Sequence, residues 1–168
     1  QFLVTLDTGE NPRLKPLTIT HVNLLYSNPD IDAAIDAMLA AEADVIAVSE
    51  LTPEFAHAIA ASPIGLRYPH SHLRPGAAAI GLGIWSRLPL AERGQVPGAT
   101  SALEAHLDFD RWPLRLVLAH PLPPLFDAQR WRAEIDALAA QDRAALQRTV
   151  MVGDFNVWDG RRAPMRRR

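Results

Sequence analysis

The chain has 168 residues, enough for one domain with a sizeable core, and its 48% hydrophobic and 21% charged residues are ordinary for a soluble globular protein. With no cysteine, a disulfide framework, a zinc–thiolate site and a thiol nucleophile are excluded, and no apolar run approaches the roughly 18 residues that span a bilayer. The formal net charge is −2, but Arg161, Arg162, Arg166, Arg167 and Arg168 crowd the last eight residues, and the body without them stands at −7, a poor electrostatic trap for nucleic acid.

Residues 1–16, with Gly9, Pro12 and Pro16, read as an irregular lead-in. Leu17–Tyr26 (LTITHVNLLY) is rich in β-branched and apolar residues and predicts a strand. His21 and Asn23 share a face with Ile19 and Leu25, where a polar side chain needs a partner. His21 reads as a satisfied structural histidine; Asn23 falls near the strand's carboxyl end. Ser27-Asn28-Pro29-Asp30 is a turn and helix-start signal, and Ile31–Glu42 repeats Ile31, Ala34, Ile35, Met38 and Leu39 at helical spacing. Ala43–Glu50 (ADVIAVSE) predicts a second buried strand closed by Glu50. That carboxylate is costly there unless paired or metal-bound; alternatively it is a surface residue ahead of the next helix. That helix starts at Thr52-Pro53-Glu54, with Thr as cap and Pro in the first turn, and runs to about Ala61. The strand–helix–strand–helix rhythm indicates an α/β layout.

Residues 62–76 read as a loop. Its His70 and His72 could touch metal or phosphate, but with no cysteine or further histidine nearby a zinc site is not expected. Ala77–Arg87 predicts a strand. Its Gly81-Leu82-Gly83 lacks the third glycine and the helix of a dinucleotide fingerprint, so these glycines are expected to admit a close neighbour. Residues 88–101 read as a loop; Ala102–Phe109 and Leu114–His120 read as a hairpin joined by Asp110-Arg111-Trp112-Pro113. His120 closes its strand ahead of Pro121-Leu122-Pro123-Pro124, which cannot continue a sheet. Asp127–Ala140 predicts an amphipathic helix with Trp131, Ile135 and Leu138 inward.

Thr149–Asn156 (TVMVGDFN) is the stretch the rest is organised around. Val150, Met151 and Val152 read as a buried strand that Gly153 breaks. Asp154 and Asn156, two apart, would project together from extended backbone and offer oxygens suited to a hard cation such as Mg²⁺; the same residues also make an ordinary Asx turn. One domain is expected over residues 17–158, with a basic tail over 159–168 that reads as disordered.

The pattern says more than any single motif. Asn23, Glu50, His120 and the Asp154/Asn156 pair each sit at or near the carboxyl end of an apolar strand. If those ends share one rim, they form an oxygen-rich pocket with one imidazole, where ligands of open sheets bind. Metal-assisted phosphoester hydrolysis fits such a pocket. Glu50 would anchor Mg²⁺ or Mn²⁺, His120 would bond the phosphate or protonate a leaving oxygen, and Asp154 would orient or deprotonate the attacking water. Asn156 and Asn23 would position phosphate or metal.

Together, HVNLLYSNPD, ADVIAVSELTPE, AIGLGIWSRLPL, LRLVLAHPLPP and TVMVGDFN resemble the endonuclease/exonuclease/phosphatase superfamily in order and spacing over Leu17–Asn156. The His-Pro-Leu-Pro-Pro and Ser-Asn-Pro-Asp segments look most like a bacterial branch with membrane helices ahead of an extracytoplasmic catalytic domain. The resemblance implies a four-layer α/β sandwich and a divalent-metal phosphodiesterase. It places Glu50 on the metal-ligating Glu, with Asn23 and Asp154 also at the metal. Asn23 falls on the strand-one active-site Asn, and His120 on the His at the scissile phosphate. Asp154 and Asn156 fall on the Asp-x-Asn pair.

The family pattern continues through further strands to an Asp-His pair, which this sequence lacks; VWDGRRAPMRRR does not look like that continuation. With its start at Gln1 rather than Met and no signal peptide, the chain is expected to be a piece of something longer, a monomer with its last strands missing and a membrane anchor upstream. Part of the second sheet would then be unpaired. The alternative is an inactive remnant that binds phosphate or metal without turnover. A calcineurin-type metallophosphatase would need Asp-x-His and Gly-Asn-His motifs, which are absent. Nucleic acid, a lipid headgroup and an inositol phosphate all stay open as substrate.

Overall fold

The computed structural model describes residues 2–6, 16–109, 113–141 and 148–157. The hairpin tip Asp110-Arg111-Trp112 and the basic tail lie outside the described residues. Two sheets form the centre. The first joins β1 (Phe2–Leu6), β2 (Leu17–Asn23), β3 (Val45–Ser49), β4 (His70–Arg74) and β5 (Leu82–Ser86) in the order β1-β2-β3-β5-β4. The second joins β6 (Leu90–Val96), β7 (Ala99–Leu107), β8 (Leu114–Ala119) and β9 (Thr149–Gly153) in the order β6-β7-β8-β9.

Two pairs are parallel, one in each sheet: β2 with β3, and β8 with β9. A parallel pair needs a long crossover, and a helix supplies each one. These are α1 (Ile31–Ala40) between β2 and β3, and α4 (Ala128–Ala139) between β8 and β9. Asp30 caps α1 by accepting from the Ala33 N–H, and Asp127 caps α4 by accepting from the Arg130 N–H. Thr52 caps α2 (Pro53–Ala61) as its sequence indicates, and α3 (Pro63–Arg67) follows at once.

Burial explains the layering. In β2 and β3 both faces are apolar. Leu17, Ile19, Val45 and Ala47 meet Leu103, Leu116, Leu118 and Val152 of the second sheet. Val22, Ile46 and Val48 face Ile35 and Met38 of α1 and Ile59 of α2. On the far side, Val117 and Ala119 pack on Leu138 of α4. The result is helix, sheet, sheet, helix, the four-layer α/β sandwich, with each buried branched side chain contributing on the order of 2 kcal/mol.

Several expectations are corrected. The lead-in contains a strand: β1 pairs antiparallel with β2. The supposed loop at 62–76 holds α3 and β4, and that at 88–101 holds β6, paired to β7 around Gly98. β4 and β6 are short polar strands at sheet edges, where one-sided burial leaves little apolar pattern to read, whereas β1 is an apolar edge strand whose Leu3 and Val4 stay exposed. The strand expected over 77–87 is a 3₁₀ turn at Ala78–Ile80 followed by β5. In α4 the inward residues are Glu134 and Leu138, with Trp131 and Ile135 half-buried. The glycines do admit a neighbour: a Cβ on Gly81 would lie 1.8 Å from the Leu51 carbonyl oxygen. Among the described residues no helix is long and apolar enough to cross a membrane.

Candidate functional site

The parallel pairs decide where the polar residues go. Asn23 ends β2 beside Ser49, with Glu50 following; Ala119 is in register with Gly153, so His120 and Asp154 leave the second sheet together. Asn23 is on the inner face of β2, the face of Ile19 and His21, so it looks across the gap between the sheets toward Asp154.

The Asn23 amide ties the two halves. Its Nδ2 donates to Glu50 Oε1 at 2.9 Å and to Asp154 Oδ2 at 3.3 Å, while its Oδ1 accepts from the Leu25 N–H at 2.9 Å. Asn23 therefore turns nitrogen, not oxygen, toward the carboxylates, and in this arrangement it orients them without ligating. Glu50 is buried; its Oε2 accepts from the Tyr26 N–H at 2.9 Å. His120, also buried, donates Nδ1–H to the Ala79 carbonyl at 3.0 Å, which leaves Nε2 to face Glu50 Oε1 at 3.8 Å.

Asp154 and Asn156 depart from the extended pair of the sequence reading. Strand β9 ends at Gly153, and Asp154 Oδ1 accepts from the Asn156 N–H at 3.1 Å, an Asx turn. Asn156 sits at φ +50 with its Nδ2 on the Pro121 carbonyl at 2.9 Å, so its amide braces the loop after His120. The turn and the site are the same structure: the Asx bond takes one Asp154 oxygen and leaves the other toward Asn23.

Strain concentrates here. Of the five described non-glycine residues at positive φ, Leu25, Glu50 and Asn156 belong to these loops, and Ala78 adjoins the carbonyl that holds His120. Such backbone costs on the order of 1–3 kcal/mol per residue and persists where the surroundings impose it.

His21 lies beneath the cluster, bonded to Ser49 Oγ at 2.9 Å, as a satisfied structural histidine. Burial depresses its pKa to about 4; Asp154 pulls the other way, and His120 adds to the depression. His70 and His72 are elsewhere, on edge strand β4, with His72 Nδ1 3.2 Å from Glu92. Sequence reasoning missed the Ala79 and Pro121 carbonyls, the Tyr26 N–H, and Trp131, whose indole donates to the Phe155 carbonyl at 2.9 Å. None carries a sequence signal, because proximity alone selects a backbone partner.

Glu50 and Asp154 could hold a cation. Among the described residues no group of three or more His, Cys, Asp or Glu has metal-cluster geometry. Two carboxylates nevertheless fit a hydrated ion of the Mg²⁺ type, which keeps several waters and takes one or two protein carboxylates besides substrate phosphate. Beside Asp154 and Asn156 a cavity of about 570 Å³ opens, walled by Pro123, Pro124, Leu125 and Val157.

Comparison with known proteins follows the same outline. The model of the endonuclease/exonuclease/phosphatase family matches residues 21–168. Among solved structures, D. rerio TDP2 complexed with a single-strand DNA product is similar at TM-score 0.68 and 16% identity, over 86% of this chain and 62% of that one. ANGEL2, a 2′,3′-cyclic phosphatase, gives TM-score 0.56 at 18% identity over 77% and 44%. The 3′-5′ exonuclease NExo of Neisseria meningitidis gives 0.56 at 17% over 83% and 57%. The chain thus spans less than two thirds of the length of these structures. No curated protein sequence matches it.

Proposed function

The chain belongs to the endonuclease/exonuclease/phosphatase family, and we propose that it is a divalent-metal-dependent phosphodiester hydrolase working at the Asn23–Glu50–His120–Asp154 cluster. One observation carries the reading: two buried or half-buried carboxylates from different sheets share a single amide donor and have no lysine or arginine partner among the described residues. Uncompensated carboxylates held close are costly, and a cation relieves that cost.

Glu50 and Asp154 would hold Mg²⁺ or Mn²⁺, which when bound polarises a phosphoryl oxygen and offsets the charge that builds up during attack. The chain's own groups do the rest. Asn23 and the Tyr26 N–H fix the Glu50 carboxylate; the Asn156 N–H and Asn23 fix Asp154, so neither has to reorganise when substrate arrives. Asp154 Oδ2 accepts the proton of an attacking water. His120, its Nδ1–H anchored on Ala79, presents Nε2 to the substrate; protonated, it donates to a phosphate oxygen or to the leaving oxygen. The family's enzymes are generally metal-dependent, and the similar structures named for DNA product, cyclic phosphate and exonuclease chemistry support a phosphodiester substrate.

A binding-only reading draws on the same donor set, which ends at two carboxylates. Hydrolysis of bis(4-nitrophenyl) phosphate with Mg²⁺ or Mn²⁺, with chelator, and by Asp154→Asn separates the two. Metal-dependent turnover that drops at least about 100-fold in the variant is expected. Turnover at the wild-type level in Asp154→Asn would overturn the site, and a folded protein with no turnover would favour binding alone.

A further inference from the structure

A second cavity, about 300 Å³, is lined by His120 and adjoins the cavity beside Asp154 at Pro123. Its wall includes Arg74 from β4, Arg130 from α4, Gln95 from β6, and Thr100 and Ser101 from β7, together with His120, and Pro123 lines both cavities. Four elements from both sheets and a helix therefore bring two guanidinium groups, an amide and two hydroxyls to one hollow. That volume is at the small end for a ligand site, suited to a compact polar group.

The charges in this hollow are unbalanced. Arg130 is held from behind: its Nε lies 3.3 Å from Glu134 Oε1, and its Nη2 donates to Thr100 Oγ1 at 3.3 Å, while the Thr100 hydroxyl donates to Glu134 Oε1 at 2.9 Å. Glu134 is the one acid in this network, and it is 4% exposed. Arg74 is different. Its Nη1 is buried without an acceptor among the described residues, and burial disfavours its charged form against the pull of Glu134. Two cations thus face one carboxylate, whose Oε1 is engaged with Arg130 and Thr100 and whose Oε2 is buried without a donor among the described residues. Buried donors without acceptors are uncommon and costly. The wall is also rigidly joined to the reaction centre, because the Ser101 carbonyl accepts the His120 backbone N–H at 2.9 Å.

We propose that the Arg74–Arg130 hollow binds a second phosphate group of the substrate, next to the phosphodiester at His120. The inference rests on the phosphodiesterase reading and narrows it to diesters with one arm phosphorylated, the other lying over the apolar cavity of Pro123, Pro124 and Leu125. Guanidinium suits this task because its planar donor fork matches phosphate oxygens two at a time. The Ser101 hydroxyl supplies a further donor, while Thr100, whose hydrogen goes to Glu134, holds Arg130 in place.

The test compares two 4-nitrophenyl phosphodiesters of the same nucleoside, with and without a second phosphate on the sugar. The wild type is expected to favour the doubly phosphorylated diester at least tenfold in kcat/KM, mostly through KM. Arg74→Gln and the more exposed Arg130→Gln should each reduce that ratio below about threefold, a readout that cancels any general loss of activity. In parallel, pyrophosphate binding is measured by calorimetry without metal; it is expected in the wild type and at least tenfold weaker in both variants. Equal kcat/KM for the two diesters in the wild type, or a preference surviving in the double variant, would overturn the proposal. If the wild type hydrolyses neither diester, the phosphodiesterase reading fails, and the pyrophosphate measurement alone decides the hollow: binding lost in the variants supports it, and binding unchanged or absent overturns it.

Discussion

Glu50 and Glu104 are both glutamates drawn into the body of a sheet protein, and their surroundings are opposite. Glu104 lies within β7, and its Oε2 accepts from Arg115 Nη2 at 2.6 Å while its Oε1 meets His106 at 3.2 Å. Burial there would raise its carboxyl pKa, but Arg115 and then His106 outweigh it and hold the group below its usual range. Arg115 is tied in turn to Gln141. Among the described residues Glu50 has no such cation. It sits past the end of its strand at φ +60, held by an amide, a backbone N–H and an imidazole at 3.8 Å. One carboxylate is neutralised by its partners in the chain and serves the fold. The other is held in place by an amide and a backbone N–H, without a guanidinium or ammonium partner among the described residues.

The comparison can be broken in order of expected effect. Glu50→Gln and Asp154→Asn should each lower metal-dependent turnover by about 100- to 1000-fold while the circular dichroism spectrum stays native, since the lost charge matters only once a cation or transition state is present. Retained turnover would make Glu50 another Glu104. The reverse is expected of Glu104→Gln: turnover within twofold of wild type, and a loss of about 3 kcal/mol in urea unfolding because Arg115 is left half-buried without its partner. Third, His21 reports on the buried ground between the two sheets. Its folded pKa of about 4 is below the unfolded value near 6.5, so the unfolded chain binds the extra proton between those limits. The stability is fully present above pH 6.5 and lost as pH falls toward 4, about 2 kcal/mol between pH 7 and pH 5. His21→Gln should flatten that slope in urea midpoints taken at both pH values. Smallest, Glu50→Gln itself should change unfolding free energy by no more than about 1 kcal/mol, because the repulsion with Asp154 that it relieves offsets the acceptor it removes from the Asn23 amide or the Tyr26 N–H. A large destabilisation would class it with Glu104.

The residues of the candidate cluster stand out in the sequence because each closes an apolar run. Asn23, Glu50, His120 and Asp154 are polar side chains placed where a buried strand stops, and hydrophobic patterning marks such ends without any knowledge of pairing. The central strands and the helices between them follow from the same pattern, whereas the four-layer arrangement is what the family resemblance implies. Edge strands β4 and β6 escaped it, because a strand covered on one face by little apolar surface has the composition of a loop; β1 (FLVTL) carries an apolar run but goes unread beside Gly9, Pro12 and Pro16.

Tertiary structure alone decided the rest. That β2 pairs parallel with β3 and β8 with β9, and that both carboxyl ends open on one rim, depends on register across the chain. So does the turning of Asn23, which the Leu25 N–H fixes with nitrogen toward the carboxylates, and the gathering of Arg74, Gln95, Thr100 and Arg130 beside His120. The physical reason is range. Burial periodicity is written locally into consecutive residues, whereas the partner of a buried charge or amide is chosen by which distant backbone the packed core brings within about 3 Å.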